Sequence, residues 1–363
     1  MKLTGQPVRL RSFIFESLFV VGTVALFLGA GRTDSVRTLS LIFSSIVLEA
    51  VPFMLMGALV GGLLEAFVSR ERIASMLPRK RWKTVLIAAG LGMIFPVCEC
   101  AIVPVVRRLS RKGLPMAAAV AYLLGGPIAN PIVGFSTAVA YRLDFGMMAA
   151  RMVIGYAIAV GIGLIMDRVF AKKSAFLEGI EHGAAPTAGH DHDESCTCGH
   201  HQEHADECSC GHHHPEPAGN GIGAKLASAM HHAADDFIGV GHYLVIGAFI
   251  AAVGQTYIDR NVFVQIAGIP VLSILLMMVL AIVLNLCSEA DAFIAASFRG
   301  TMPVSAQLAF MLIGPMFDLK LLLMYQTLFR RRAIVVLAAL IFTAVLAAAI
   351  AVHYSGLLAG VAQ

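Results

Sequence analysis

Long apolar stretches separated by short basic or glycine-containing joints dominate the chain. They lie near 12–31, 39–68, 84–106, 114–141, 147–169, 235–258, 262–286, 303–329 and 333–353. A helix needs about 20 apolar residues to cross the hydrocarbon layer of a bilayer, and most of these stretches reach that length. In lipid every backbone group must be bonded within the protein, so the pattern predicts an all-α polytopic membrane protein with about 7–10 membrane segments. The stretch 12–31 follows Lys2, Arg9 and Arg11, and we read it as a retained first span, not a cleaved leader. Between 170 and 232 the apolar pattern stops and Ala, Gly, Pro, His, Cys, Asp and Glu take over. Such a stretch cannot bury a core and reads as a flexible loop. The organisation is thus a first span and joint (1–38), a membrane unit (39–169), the loop (170–232) and a second membrane unit (233–363).

The two membrane units resemble each other. "MGALVGGLLEAFVSR" (56–70) aligns with "IGAFIAAVGQTYIDR" (246–260), setting Gly57 against Gly247, Glu65 against Gln255 and Arg70 against Arg260. "SRKGLPMAAAVAYLLGGPIAN" (110–130) aligns with "FRGTMPVSAQLAFMLIGPMFD" (298–318), matching Pro115 with Pro303, Gly126–Pro127 with Gly314–Pro315, and Asn130 with Asp318. One offset of roughly 190 residues serves both blocks, as a duplication requires.

Charge placement orients the copies. Two successive joints are strongly basic: Arg70, Arg72, Arg79, Lys80, Arg81 and Lys83, then Arg107, Arg108, Arg111 and Lys112. Basic loops stay in the cytoplasm, so both can do so only if 84–106 enters the membrane and returns. Pro96 and Pro104 mark where that segment is expected to break. Each copy then makes an odd number of crossings, which predicts two inverted structural repeats with broken, re-entrant helices. Arg168, Lys172, Lys173, the loop, and Arg330, Arg331 and Arg332 fall on the cytoplasmic side under this reading. The segments around Arg142, Arg260 and Arg299 fall outside.

Composition sharpens the picture only in part. Of 363 residues, 58% are hydrophobic and 14% charged, with a net charge of +4. The small net charge says little by itself; the expected partners are the bilayer, a substrate and, as an open option, further copies of the chain, with no nucleic acid among them. The seven cysteines show no secreted disulfide framework.

Chemistry concentrates at the breaks. Cys98, Glu99 and Cys100 stand at the first, and "LNLCSEADAF", with Cys287, Glu289 and Asp291, stands at the matching place in the second copy. Thiols converging in a dry site suit a soft ion such as As(III), Cu(I), or zinc with a carboxylate ligand. Carboxylates inside a membrane are costly unless paired or functional. Glu99, Glu289 and Asp318 are therefore candidate ligands, with Glu99, Glu289 and Asp291 as candidates for proton coupling. Asn130 and Asp318 follow the Gly-Pro breaks and are candidates to line the same cavity. The bland alternatives are that Cys287 is a small core residue and that Asp318 only caps a helix. Glu49, Glu65, Asp236 and His242 also lie in apolar stretches. Met54, Met56, Met277 and Met278 read as packing.

The central loop carries "HDHDESCTCGHHQEHADECSCGHHH", with two Cys-x-Cys-Gly-His-His units. His190, His192, Cys196, Cys198, His200, His201, His204, Cys208, Cys210, His212, His213 and His214 give a donor density suited to zinc or Cu(I) without a fixed fold. The bland alternative is a polar linker that happens to be rich in histidine.

The block "FPVCECAIVPVVRRLSRKGLPMAAAVAYLLGGPIANPI" and its weaker echo "GTMPVSAQLAFMLIGPMFDLK" resemble the predicted permease family that includes the ArsP-type methylarsenite efflux permeases. The His/Cys-rich loop is most similar to the branch of that family assigned to copper/zinc efflux. The resemblance implies ion-gradient-driven export of thiophilic metals or metalloids across the bacterial inner membrane. Cys98, Cys100 and Cys287 would supply the thiols. It implies no resident cofactor and no enzyme activity; metal ions enter as cargo or as loop-bound ions. The long loop departs from the arsenical exporters. Uptake through the same scaffold, a passive channel, and a membrane thiol oxidoreductase using Cys98 and Cys100 stay open as alternatives.

Overall fold

The computed structural model describes residues 34–67, 78, 80–93, 98–170, 175–177, 222–257 and 269–358. The expected first span, the metal-loop histidines and cysteines, Pro96, and the side chains of Glu65, Asp236 and Gln255 lie outside the described residues. Among those described, the fold is all-helical, with one isolated bridge between Phe176 and Phe329.

The helices are α1 (Asp34–Phe67), α2 (Arg81–Gly90, continuing as a 3-10 turn over Leu91–Met93), α3 (Glu99–Arg111), α4 (Met116–Gly125), α5 (Pro131–Ala140) and α6 (Phe145–Val169). A second series follows: α7 (Ile222–Tyr257), α8 (Pro270–Leu284), α9 (Ala290–Ser297), α10 (Val304–Met316), α11 (Leu319–Tyr325) and α12 (Arg331–Ser355). α7 reaches back to Ile222, into the stretch that composition assigns to the loop. Among the described residues, four stretches are long and apolar enough to cross a membrane: Ser35–Leu59, Phe145–Val169, Val304–Tyr325 and Arg331–Ser355. The third is interrupted at Phe317 and Asp318, between α10 and α11. Shorter apolar helices include α4, α5 and α8.

Local chemistry explains the joints. Pro115 and Pro303 precede α4 and α10 with nearly identical backbone angles, φ −58° and ψ 145° against φ −55° and ψ 146°. Proline's fixed φ suits the first step into a helix, where a missing N–H costs nothing. Asn130 and Asp318 open α5 and α11 by accepting backbone N–H bonds, from Ile132 at 2.9 Å and from Leu321 at 2.6 Å. Pro104 does not break the chain as expected; it sits inside α3, which runs on to Arg111. Without an N–H it costs the helix only the bond to the Cys100 carbonyl. α3 itself begins at Glu99, with Cys98 as the extended residue before it.

Packing is tightest at the centre. Every residue of α10 from Ser305 to Met316 is buried, as is α4 from Ala117 to Gly125. The long helices present large apolar side chains outward, including Leu48, Val153 and Val335, as lipid-facing surfaces do. α2 and α4 lie side by side in the same direction. Val85, near the start of α2, and Ala117, at the start of α4, both lie against Gly163 near the end of α6, while Ala89 further along meets Gly125. The chain between α2 and α4 therefore goes out and comes back. Arg81 bridges to Asp167 at 3.2 Å on this same end. α1 and α7 pack along each other through Phe43, Ile46, Ala248, Ala251 and Ala252.

Candidate functional site

Two helix ends face each other inside the bundle. Cys98 is the extended residue before α3, and its carbonyl accepts the Ala101 and Ile102 N–H groups at 3.1 Å each. α8 ends at Leu284, and Asn285 turns the chain with left-handed backbone angles, φ 52° and ψ 46°. Asparagine is among the few non-glycine residues that adopt this conformation readily. The turned chain then delivers Leu286, Cys287 and Ser288 before α9 begins.

Between these ends lies a small pocket lined from both halves of the chain. Cys98, Glu99 and Cys100 line it from α3, and Asn285 and Cys287 from the end of α8. Ile46, Glu49 and Ala50 of α1 close one side, and Lys320 of α11 projects into it. All three thiols are free and buried. Cys287 Sγ donates to Glu289 Oε2 at 3.1 Å.

Glu99 links the two halves of the chain. Its Oε1 lies 3.3 Å from Lys320 Nζ, and its Oε2 accepts from Ser288 Oγ at 3.1 Å. Lys320 Nζ also lies 3.7 Å from Asp318 Oδ2. With its amide nitrogen turned toward Asp318, the orientation the network requires, Asn285 donates to both carboxylate oxygens, at 3.0 and 2.6 Å. A buried ion pair of this kind offsets desolvation only when further hydrogen bonds complete it, and Ser288, Asn285 and the Leu321 N–H do so.

A second buried network lies behind the Cys287 turn. Arg151 of α6 donates to Thr137 Oγ1 at 2.9 Å and to the Ser288 carbonyl at 2.8 Å, and stands 3.9 Å from Asp291 Oδ2. Neither Asp291 oxygen accepts a hydrogen bond. Gly314 of α10 makes room for this carboxylate, since a Cβ there would fall 2.5 Å from Oδ2.

The structure thus gathers Cys98, Glu99, Cys100 and Cys287 at one cavity, with Glu289 and Asp318 each one contact behind it. Asp291 belongs to the Arg151 network. Asn130 caps α5 and is not among the cavity-lining residues. Among the described residues, no group of three or more His, Cys, Asp or Glu side chains forms a ready-made metal site. Glu99 is engaged by Lys320 and Ser288, and Cys287 by Glu289. Lys320, Arg151, Ser288 and Asn285 were not anticipated from the sequence, and Glu49 was noted without a role. A signal existed for two of them: Lys320 and Arg151 are isolated cations in the apolar stretches 303–329 and 147–169.

A family model described as "Predicted permease", ArsP_1, matches residues 35–354. The chain is 40% identical over 319 residues to "UPF0718 protein YcgR" of Bacillus subtilis, covering 88% of this chain and 98% of that protein. It is 34% identical over 297 residues to a Streptococcus mutans protein named "Putative two-component membrane permease complex subunit", covering 81% of this chain and 87% of that one. No solved structure matches. Spanning both helical series and nearly the full length of its Bacillus relative, the chain belongs to the ArsP_1 family of predicted permeases.

Proposed function

We propose that the protein is a secondary-active efflux permease for thiophilic metal ions or metalloids of the Cu(I), zinc or As(III) type. The observation that carries this reading is the meeting of Cys98 and Cys100 with Cys287, from breaks roughly 190 residues apart, on one cavity beside Glu99 and Glu49. Three thiols and two carboxylates form a donor set matched to soft cations. The carboxylates outnumber the single lysine among the described lining residues, so the cavity favours positive cargo.

The scaffold reading is a pair of inverted repeats that rock around this site. It is supported by the repeated order of six helices and by the matched entries at Pro115 and Pro303 and at Asn130 and Asp318. The side-by-side course of α2 and α4 supports re-entry. The tie between 175–177 and the turn before α12 supports a common face for the start of the loop and Arg330, Arg331 and Arg332. There Arg330 donates to the Ala175 carbonyl at 2.9 Å through its N–H and to the Phe176 carbonyl at 3.0 Å through Nε. Under the positive-inside rule these basic residues favour the cytoplasmic side for that face, and an inner-membrane location is part of this proposal. A thiol- and imidazole-rich collector on that side favours export. Glu99, Glu289 and Asp291 are the candidates to carry the driving proton. The Streptococcus relative's name adds a second membrane subunit as a candidate partner.

The test is the cellular content of copper, zinc, arsenic and cadmium in challenged cells expressing wild type or Cys98→Ser at equal levels. Lower content of one element in wild type alone is expected. Higher content would mean uptake, and no difference for any element would remove metal transport.

A further inference from the structure

Resting on the transport reading above, we propose that Lys320 is an internal substitute for the transported cation. Its ammonium neutralises Glu99 whenever cargo does not, so that the carrier can return across the membrane without cargo.

The position is what such a role needs. Lys320 Nζ lies 3.3 Å from Glu99 Oε1 and lines the same cavity as Cys98, Cys100 and Cys287. A metal ion ligated by Glu99 and these thiols would compete for the same carboxylate oxygen. The lysine has somewhere to go: Asp318 Oδ2 is already within 3.7 Å. Asp318 does not have to move to receive it. Its carboxylate is fixed by the Leu321 N–H at 2.6 Å and by the Asn285 amide at 3.0 and 2.6 Å.

Glu99 is equally prepared for the exchange. Ser288 Oγ holds its second oxygen at 3.1 Å, so the carboxylate stays directed at the cavity when the ammonium leaves. The lysine backbone is fixed as well. Gly247 of α7 lies so close that a Cβ there would come within 2.8 Å of Lys320 Cα. Only the flexible four-carbon stem is left to move, which suits lysine better than the rigid guanidinium fork of arginine.

The consequence is electrostatic. An uncompensated carboxylate is costly in the interior of a membrane protein, so a carrier with a bare Glu99 would be trapped at one face. Cargo compensates the charge on the outward journey and Lys320 does so on the return, which leaves Glu289 and Asp291 to carry the driving proton. Net efflux needs both journeys, whereas one-for-one exchange of cargo needs only the loaded one.

The experiment reconstitutes full-length wild type, Lys320→Met and Lys320→Arg in vesicles and compares net efflux with exchange. Zinc, Cu(I) and arsenite serve as parallel probes. Lys320→Met is expected to lower net efflux roughly tenfold or more and to lower exchange far less. Lys320→Arg, which keeps a cation, is expected to retain part of the net efflux. If Lys320→Met does not insert, Lys320→Gln takes its place with the same expected split. Net efflux and exchange falling together would make Lys320 a structural residue and overturn the proposal. Wild-type net efflux in the neutral variants would overturn it too. A wild type that neither exports nor exchanges any of the probes would instead sink the transport reading, and the inference with it.

Discussion

The two helical series share a scaffold and differ in chemistry. α6 and α12 are each 25 residues long. Counted from their first residues, six buried positions coincide: Met147, Arg151, Gly155, Ala159, Gly163 and Met166 against Ala333, Leu337, Ile341, Val345, Ala349 and Val352, while Ala150, Ile158, Ile162 and Ile334 have no buried counterpart. The one charged position, Arg151, faces a leucine in its counterpart. The caps behave alike: Asn130 and Asp318 do the same backbone work, but two residues further on the first series has Ile132 and the second has Lys320. A common packing pattern keeps the halves in register, and a few unmatched charges turn the seam between them into a site. Backbone breaks recur in both series, and charge does not.

The strongest test asks whether the seam is functionally shared. If cargo is held from both halves, Cys287→Ser disables metal efflux as fully as Cys98→Ser or Cys100→Ser, each leaving about one hundredth of wild-type transport or less. Surface-expressed protein is quantified alongside metal content. Full activity in Cys287→Ser with loss in the other two would confine ligation to the first half.

The next test makes α6 resemble α12. Arg151→Leu copies the residue at the matching position, but it strands Asp291, whose buried oxygens have no other partner. Removing one member of a buried pair costs about 3–5 kcal/mol. Thermal unfolding in detergent is expected to fall accordingly. Adding Asp291→Asn is expected to recover much of the loss, because the stranded charge disappears with it. Equal loss in the single and double variants would show that the Arg151 bonds to Thr137 and Ser288 are what counts.

Much of this comparison is legible in the sequence. The paired prolines, the Gly-Pro steps and the Asn130/Asp318 match foretell where both series break, because proline and cap residues act on the backbone within a turn of themselves. Cys98, Glu99, Cys100 and Cys287, which line one pocket, are legible as candidates because thiols and carboxylates stand out in apolar surroundings. Lys320 is less so, since a lysine near the end of an apolar stretch resembles one reaching back to the interface. Pro104 misleads for a related reason: helix breaking depends on position in the helix, and a proline early in α3 costs one bond. The Arg151–Asp291 pairing depends on α6 meeting the turn after α8, a distant contact that no local pattern encodes.

A smaller effect probes the matched glycines. Gly57 of α1 rests against Ala101 of α3, and Gly247 of α7 against Lys320 of α11. Each long helix thus leans on a segment that carries site residues. Gly57→Val and Gly247→Val must each push two backbones apart, at about 1–3 kcal/mol. Unfolding in detergent is expected to register both. Only Gly247→Val is expected also to alter the net-efflux to exchange ratio, because it displaces Lys320 directly.

The mildest test separates capping from charge at the paired breaks. Asn130→Ala removes one side-chain bond to the Ile132 N–H and nothing else at the cavity, so it is expected to cost about 1 kcal/mol and leave transport intact. Asp318→Asn keeps an oxygen for the Leu321 N–H but removes the charge beside Lys320. It is therefore expected to be nearly as stable as wild type yet impaired in efflux. If Asp318→Asn transports normally while Asn130→Ala and Asp318→Ala lose stability equally, Asp318 is a cap like its counterpart. The charge asymmetry of the seam would then rest on the Glu99–Lys320 and Arg151–Asp291 pairs.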